Sequence, residues 1–363
     1  MKPQKRKKIL IVCQSPKGTN PGQRLKYEQY FPALEKAGYD ITISSFQSQR
    51  FWDIIYQEGR VLEKIFWTLV GYGRRTLDLL RLPFYDGLYI YMAVTPLGPP
   101  IFERLFVTLN RKVIFDIEDM AFITDTSKAN RWIAKIKGTK KYEYLSRKAK
   151  LVITSSLGLS DKVNEFNKNN EAITATFDTN RFVPSGSYIQ NDPIVIGWTG
   201  SHSTIKYLYL LDDVFKELAT KRPIKIRVIA NATYSCEGVE VENVTWTEAN
   251  EITDLQKIDI GVYPVPIEPW VLGKSGCKTI TYMSVGLPSV STAYGNAKSL
   301  VVTDGVDGYL ALEHQEWIDK LIHLIDHPEE RERMGKEARK TAVERFSVEA
   351  NTNRYLKLFN KIY

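Results

Sequence analysis

The chain has 363 residues, 43% apolar and 25% charged, an ordinary globular composition at a length where one core has usually stopped growing and two domains are expected. A net charge of +8 calls for an anionic partner, and because no nucleic-acid-binding motif accompanies it, nucleic acid is set aside. Three scattered cysteines, Cys13, Cys236 and Cys277, exclude a disulfide framework, have no metal-ligand spacing and suit a reducing cytosol.

No run approaches the ~18 apolar residues that span a bilayer. Ile9 to Cys13 follows a basic head but is too short for a secretory signal, so Lys8 to Cys13 reads as the first strand. Gln23 to Ala37 has helical periodicity and ends at Gly38, Ile41 to Ser45 is a second strand, and YDGLYIYM from Tyr85 a third. Arg50 to Arg81 mixes Phe51, Trp52, Ile65, Phe66 and Trp67 with Arg60, Lys64, Arg74 and Arg75. That mixture suits interfacial helices dipping into a membrane face, and it equally suits core-packing helices with solvated arginines. PPIFERLFVTLN is a helix, RKVIFDIED a strand, Tyr142 to Lys148 helical and KLVITSS a strand. Strict alternation predicts a parallel sheet with helices on both faces.

After NRFVPSGSYIQNDP, a Pro-, Ser- and Asn-rich linker, the alternation restarts with IVIGWTG, a helix over Thr204 to Thr220, IKIRVIAN, IDIGVYPV, a helix over Gly276 to Val285, and PSVST. The expected architecture is α/β, two Rossmann-like doubly wound domains at 1–187 and 188–345 facing across a cleft. Ligands in such sheets bind outside the carboxyl ends of the strands.

Candidate site residues stand at those ends. In GKSGCKTITYMSVGLP, Gly286 sits where a left-handed cap would close the helix, while Lys274 and Lys278 flank its amino end. Lysines there cost stability unless an anion such as a phosphate lies between them, or unless both point into water. IVIGWTG runs into Gly200-Ser201-His202-Ser203-Thr204, with Lys206 in the following turn, a set of donors for a phosphate or a ribose. His202 is either such a donor or a solvent-facing cap. In the first half, Gly22, Gln23 and Arg24 of GTNPGQR can meet an anionic or hydroxylated ligand.

GWTGSHSTIKYL, DIGVYPVPIEPWVLGKSGCKTITYMSVGLPSVST, DGVDGYL and ERMGKEARKTAVERFS, in that order, resemble the carboxyl-terminal half of a bacterial family 4 glycosyltransferase of the GT-B fold (glycosyl transferases group 1). PGQRLKYEQYFPALEKAGYDIT, FDIEDMAF and ATFDTNRFVP resemble a subgroup that builds capsule, lipopolysaccharide or exopolysaccharide. The resemblance implies a nucleoside-diphosphate sugar as donor, a glycan or polyprenyl-diphosphate-linked acceptor, retention at the sugar carbon, and neither cofactor nor metal. It also implies a cytoplasmic enzyme peripheral to the plasma membrane, for which the composition of 50–81 offers one candidate contact, and a helix over 346–363 that returns to the first domain.

On these motifs, Lys206, Lys274 and Lys278 would stabilise the leaving phosphate, with Gly200, Ser201, His202, Ser275, Gly276, Cys277 and Thr281 around the donor. Gly22, Gln23, Arg24, Asp116 and Glu118 would hold the acceptor and Asp119 would take its proton. Asp116, Glu118 and Asp119 have two other readings: caps for the next helix, or an imitation of the Asp-x-Asp metal site of the other glycosyltransferase fold. The chain departs from the family where two glutamates are replaced by Gly273 and Thr281, and an arginine by Ser201. These departures keep open a GT-B nucleotide-sugar epimerase, for which Glu268 is the nearest carboxylate, and a non-catalytic GT-B partner protein with a degenerate donor site.

Overall fold

The computed structural model describes residues 6–123, 138–186 and 191–363. The chain forms two compact units, residues 1–174 with 352–363, and residues 175–351. The boundary expected at 187/188 lies outside the described residues. The observed change of unit comes earlier because the Phe177 amide donates to the Phe346 carbonyl at 2.9 Å, and the Val348 amide donates to the Phe177 carbonyl at 3.0 Å.

The first unit runs β1 (Lys7–Cys13), α1 (Pro21–Leu25), α2 (Phe31–Lys36), β2 (Tyr39–Ser45), α3 (Gln49–Ile55), α4 (Val61–Arg81), β3 (Gly87–Tyr91), α5 (Ile101–Leu109), β4 (Val113–Ile117), α6 (Lys140–Lys148), β5 (Leu151–Thr154), α7 (Leu157–Asn164) and β6 (Asn170–Ala172). The sheet order is β2-β1-β3-β4-β5-β6, all parallel. Ile9 to Cys13 are buried without alternation, as expected of a strand covered on both faces.

The helix predicted over Gln23 to Ala37 is broken in two. Lys26 leaves helical geometry at φ −108°, ψ −88°, and its ammonium turns inward to a buried ion pair with Asp116.

The second unit runs β7 (Ile194–Thr199), α8 (Asp212–Lys221), β8 (Ile224–Ile229), β9 (Glu240–Val244), α9 (Glu251–Leu255), β10 (Ile260–Tyr263), α10 (Cys277–Ser284), β11 (Ser289–Thr292), β12 (Tyr309–Ala311), α11 (His314–Asp326) and α12 (Pro328–Phe346). Its order is β12-β11-β10-β7-β8-β9, again all parallel. The helix expected from Thr204 begins instead as a 3₁₀ turn, Ile205–Leu211, before α8. α13 (Val348–Ile362) follows, and from residue 352 it belongs to the first unit.

α4 does not fit the core-packing reading of residues 50–81. Its buried residues are Gly71, Arg75 and Asp78, while Leu62, Leu69 and Leu80 are 83%, 64% and 70% exposed. The Arg75 guanidinium crosses the ends of the sheet, donating to the carbonyls of Cys13 at 2.6 Å, Ser44 at 3.2 Å and Val94 at 2.7 Å, and to Asp78 at 2.9 Å. No helix among the described residues is long and apolar enough to cross a membrane.

Candidate active site

In each sheet the strand order reverses once, between β1 and β3 and between β7 and β10, and a doubly wound sheet binds ligands where its order reverses. In the second unit α10 covers that point. Gly261 on β10 has no side chain, and the Tyr282 ring lies where one would stand, 2.6 Å from a hypothetical Cβ. The Tyr282 hydroxyl accepts from the Thr199 amide at 3.2 Å and donates to the Val262 carbonyl at 3.1 Å, so α10 is tied to both strands. Gly286 ends α10 at φ +72°, as the sequence predicts, with the Leu287 amide reaching back to the Tyr282 carbonyl at 3.0 Å.

This anchoring sets Lys278 on the reversal. Its Nζ lies 5.5 Å from the ring centre of Trp198 on β7 and 5.4 Å from that of Tyr263 on β10. A Cβ on Gly200 would come within 2.9 Å of the Lys278 Cε, so the glycine of the strand-end turn and the lysine of the helix are brought together. Lys278 is half-buried, and among the described residues it has no hydrogen bond or ion pair. Burial lowers its pKa and Lys274 adds to the effect, partly offset by Cys277. At the helix start, Gly276 at φ +77° supplies no capping side chain, and Val301 lies 3.1 Å from where its Cβ would be. The Ser275 carbonyl is held by Asn296 at 2.7 Å, and Cys277 is a half-buried free thiol.

Lys206 and Lys274 meet through aromatic rings. Lys206 Nζ lies 5.2 Å from the Tyr207 ring, Tyr207 packs on Trp270 at 5.6 Å, and Lys274 Nζ lies 5.7 Å from Trp270. Trp270 is itself fixed by donating to Glu268 at 2.6 Å. Ser201 and His202 are exposed; the Ser201 hydroxyl bonds the hydroxyls of Ser203 at 2.9 Å and Thr204 at 3.2 Å. Thr281 turns away from a donor-binding role, since its buried hydroxyl donates to the Cys277 carbonyl at 2.8 Å within the helix.

In the first unit the reversal lies beside Gly22. A Cβ there would stand 2.3 Å from Glu118 Oε2 and 2.5 Å from the Tyr91 hydroxyl. Tyr91, at the end of β3, donates to Glu118 Oε2 at 2.5 Å. Burial pushes the Glu118 carboxyl up to about 7, against the pull of Lys26 and Tyr91 and with a push from Asp116 and Asp119.

Two expected acceptor ligands are occupied instead. Asp116 is fully buried between Lys26 and Tyr89, and Gln23 is fully buried with its amide spanning Ser15 and Glu28. Both serve the frame, because a buried charge or amide needs its partners inside. Gln23 and Glu28 pin the loop after β1, Glu28 accepting from the Gly18 amide at 2.9 Å. Arg24 is half-buried and Asp119 exposed. Asp119 at φ +56° and Met92 at φ +65° both hold left-handed backbone at adjacent strand ends, a strain that collects at functional sites. Sequence reasoning missed Trp198, Tyr263, Tyr91 and the Tyr207–Trp270 pair, which look like core residues in an apolar pattern.

The two parallel six-stranded sheets with their covering helices are those of the α/β GT-B fold. Sucrose-phosphate synthase from Thermosynechococcus elongatus matches over 98% of this chain and 99% of its own at a TM-score of 0.71 and 14% identity. A glycosyltransferase from Rickettsia africae matches over 99% and 98% at 0.69 and 12%, and Anabaena HepE in complex with UDP and glucose over 98% and 100% at 0.65 and 17%.

Residues 193–327 match the family model described as Glycosyl transferases group 1. Among curated relatives, trehalose synthase of Thermococcus litoralis is 28% identical over 118 residues, 32% of this chain, and trehalose synthase of Pyrococcus horikoshii is 31% identical over 77 residues, 21% of it. These matches span only 27% and 18% of the relatives' own lengths.

Proposed function

We propose that the protein is a family 4 glycosyltransferase moving a sugar from a nucleoside-diphosphate donor, bound by the second unit, to a glycan or polyprenyl-diphosphate-linked acceptor, bound by the first. The reading includes retention at the sugar carbon and a place in cytoplasmic synthesis of capsule or lipopolysaccharide. One observation carries it: an ammonium group, half-buried on two aromatic faces where the sheet order reverses, with no carboxylate paired to it among the described residues. Such a cation is provided for by an anion that arrives with the ligand.

As the bond to the leaving phosphate breaks, negative charge grows there, and Lys278 supported by Lys274, Lys206 and the uncapped start of α10 stabilises the transition state more than the ground state. Each fixed donor of this kind is worth about 3 kcal/mol. Charge stabilisation of this kind calls for no metal. For the acceptor, Glu118 held by Tyr91 is the carboxylate placed to receive a hydroxyl proton, with Asp119 next to it. UDP is the first nucleotide to try because HepE was solved with it.

The inward-turned hydroxyl of Thr281 favours a second reading, a GT-B partner protein with an idle donor site. Thermal unfolding with UDP, GDP, dTDP and CMP separates the two. A raised midpoint with one nucleoside diphosphate supports the enzyme; no shift with any of them supports the idle site.

A further inference from the structure

α4 is inside out for a helix on a water-soluble unit. Three of its charged residues turn to the protein, Arg75 and Asp78 as a buried pair and Arg74 donating to the Ser45 carbonyl at 2.5 Å, while Glu63 at the surface is engaged by Arg50 at 3.0 Å and Arg60 at 3.3 Å. Trp67 and Tyr72 pack on the cluster of Phe46, Phe51 and Ile54, but most of its other apolar residues face out. Leu62, Phe66, Leu69 and Leu80 recur at the spacing of one helical stripe and are 83%, 56%, 64% and 70% exposed. Phe84 just beyond α4 is 77% exposed, and α5, which meets α4 through Tyr72 and Phe102 with ring centres 5.7 Å apart, adds Ile101 at 58% and Leu105 at 45%. Scattered exposed apolar residues need no explanation, but a continuous stripe on two adjacent helices marks a surface that is covered in use.

The charges around the stripe say what covers it. Arg60 and Arg81 stand exposed at the two ends of α4, Arg104 on α5, and Arg111 and Lys112 just after it. Neither helix exposes an acid, since Glu63 is half-buried and Asp78 and Glu103 are buried. A second copy of this face would set like charges against one another, whereas a surface that is apolar beneath an anionic skin complements both features.

We propose that the exposed face of α4, continued by α5, seats on an anionic lipid bilayer, with the leucine and phenylalanine stripe in the acyl boundary and the flanking arginines among the phosphates. The inference holds whatever nucleotide or acceptor the two units bind.

The test uses the full chain and flotation with vesicles of phosphatidylcholine alone or equimolar phosphatidylcholine and phosphatidylglycerol. The protein should float with the anionic vesicles, and each flanking cation should contribute roughly fivefold in affinity at low salt. Leu62→Ser with Leu69→Ser should weaken binding at least about tenfold, because two side chains lose their apolar burial. Arg81→Gln with Arg111→Gln should lower the preference for phosphatidylglycerol roughly 25-fold and make binding less sensitive to sodium chloride. All four positions are exposed, and an unchanged unfolding midpoint checks that the variants fold.

Absence of flotation with anionic vesicles overturns the proposal. So does binding that survives Leu62→Ser with Leu69→Ser, and so does a concentration-dependent dimer, without lipid, that the leucine variant abolishes.

Discussion

Replacing Lys278 with methionine should leave the resting protein about as stable as before and take away most of its affinity for a nucleoside diphosphate. Without ligand, the ammonium gains about 0.5–2 kcal/mol from its aromatic faces, while burial and Lys274 work against the charge. Methionine keeps the stem and gives sulfur–aromatic contacts to Trp198 and Tyr263, so the net change in stability should lie within about 1 kcal/mol. With ligand, a charge-assisted hydrogen bond of about 1.5–3 kcal/mol is lost, which raises Kd roughly 10- to 150-fold. At a concentration of about 100 times the wild-type Kd, stabilisation should drop from about 2.7 to about 0.3–1.4 kcal/mol. In a unit of this size 1 kcal/mol moves the midpoint by about 2–4 °C, so a shift of about 5–11 °C should shrink to about 1–6 °C. Differential scanning of both proteins, with and without UDP, reads all four values. A variant whose own midpoint falls by many degrees while the UDP shift persists would refute the reasoning and make Lys278 a packing residue.

Gly22→Ala places a methyl group 2.3 Å from Glu118 Oε2, so it should cost about 1–3 kcal/mol by overpacking; an unchanged midpoint would mean that the Tyr91–Glu118 pair yields freely. Glu118 has its carboxyl held at about 7 rather than 4.5, so the folded chain binds more protons than the unfolded one between those values and stability falls as pH rises through that window. Glu118→Gln keeps an acceptor for Tyr91 and should flatten the fall by about 1–3 kcal/mol in denaturant titrations across that range; an unaltered slope would place the titration elsewhere. Trp270→Ala releases Lys274 and unseats the Tyr207 ring under Lys206, so it should weaken UDP binding roughly two- to fivefold, with Trp270→Phe restoring most of it. Equal affinities in calorimetry for the two Trp270 variants would rule out a positioning role.

The alternation of strand and helix is legible in the chain because parallel strands covered on both faces are continuous apolar runs, and Gly286 marks the end of α10 because a left-handed cap favours glycine. The sides to which residues turn are less legible. Amphipathic spacing in α4 shows that two faces differ but not which is inside, and here Arg75 reverses the usual answer by capping strand-end carbonyls. Asp116 and Gln23 read as polar groups beside a ligand; their partners Lys26, Tyr89 and Glu28 become visible only when the chain is folded. Lys278 was legible as a phosphate candidate from its place at a helix start, whereas its resting place on Trp198 and Tyr263 depends on three segments far apart in sequence.

The closing helix α13 has a consequence for synthesis on the ribosome. Tyr355 stacks on Tyr30 with ring centres 4.1 Å apart, Phe359 packs on Tyr39 and Tyr89, and the buried Tyr363 ring fills the space above Gly87. Residues 352–363 therefore complete a core whose other layers are translated before residue 175. Translation of the whole second unit comes in between, so the unit that emerges first is the one that finishes folding last. During that interval Tyr30, Tyr39 and Tyr89 lack their native cover, and a nascent chain stalled before residue 352 should be a chaperone client even when its second unit has already closed.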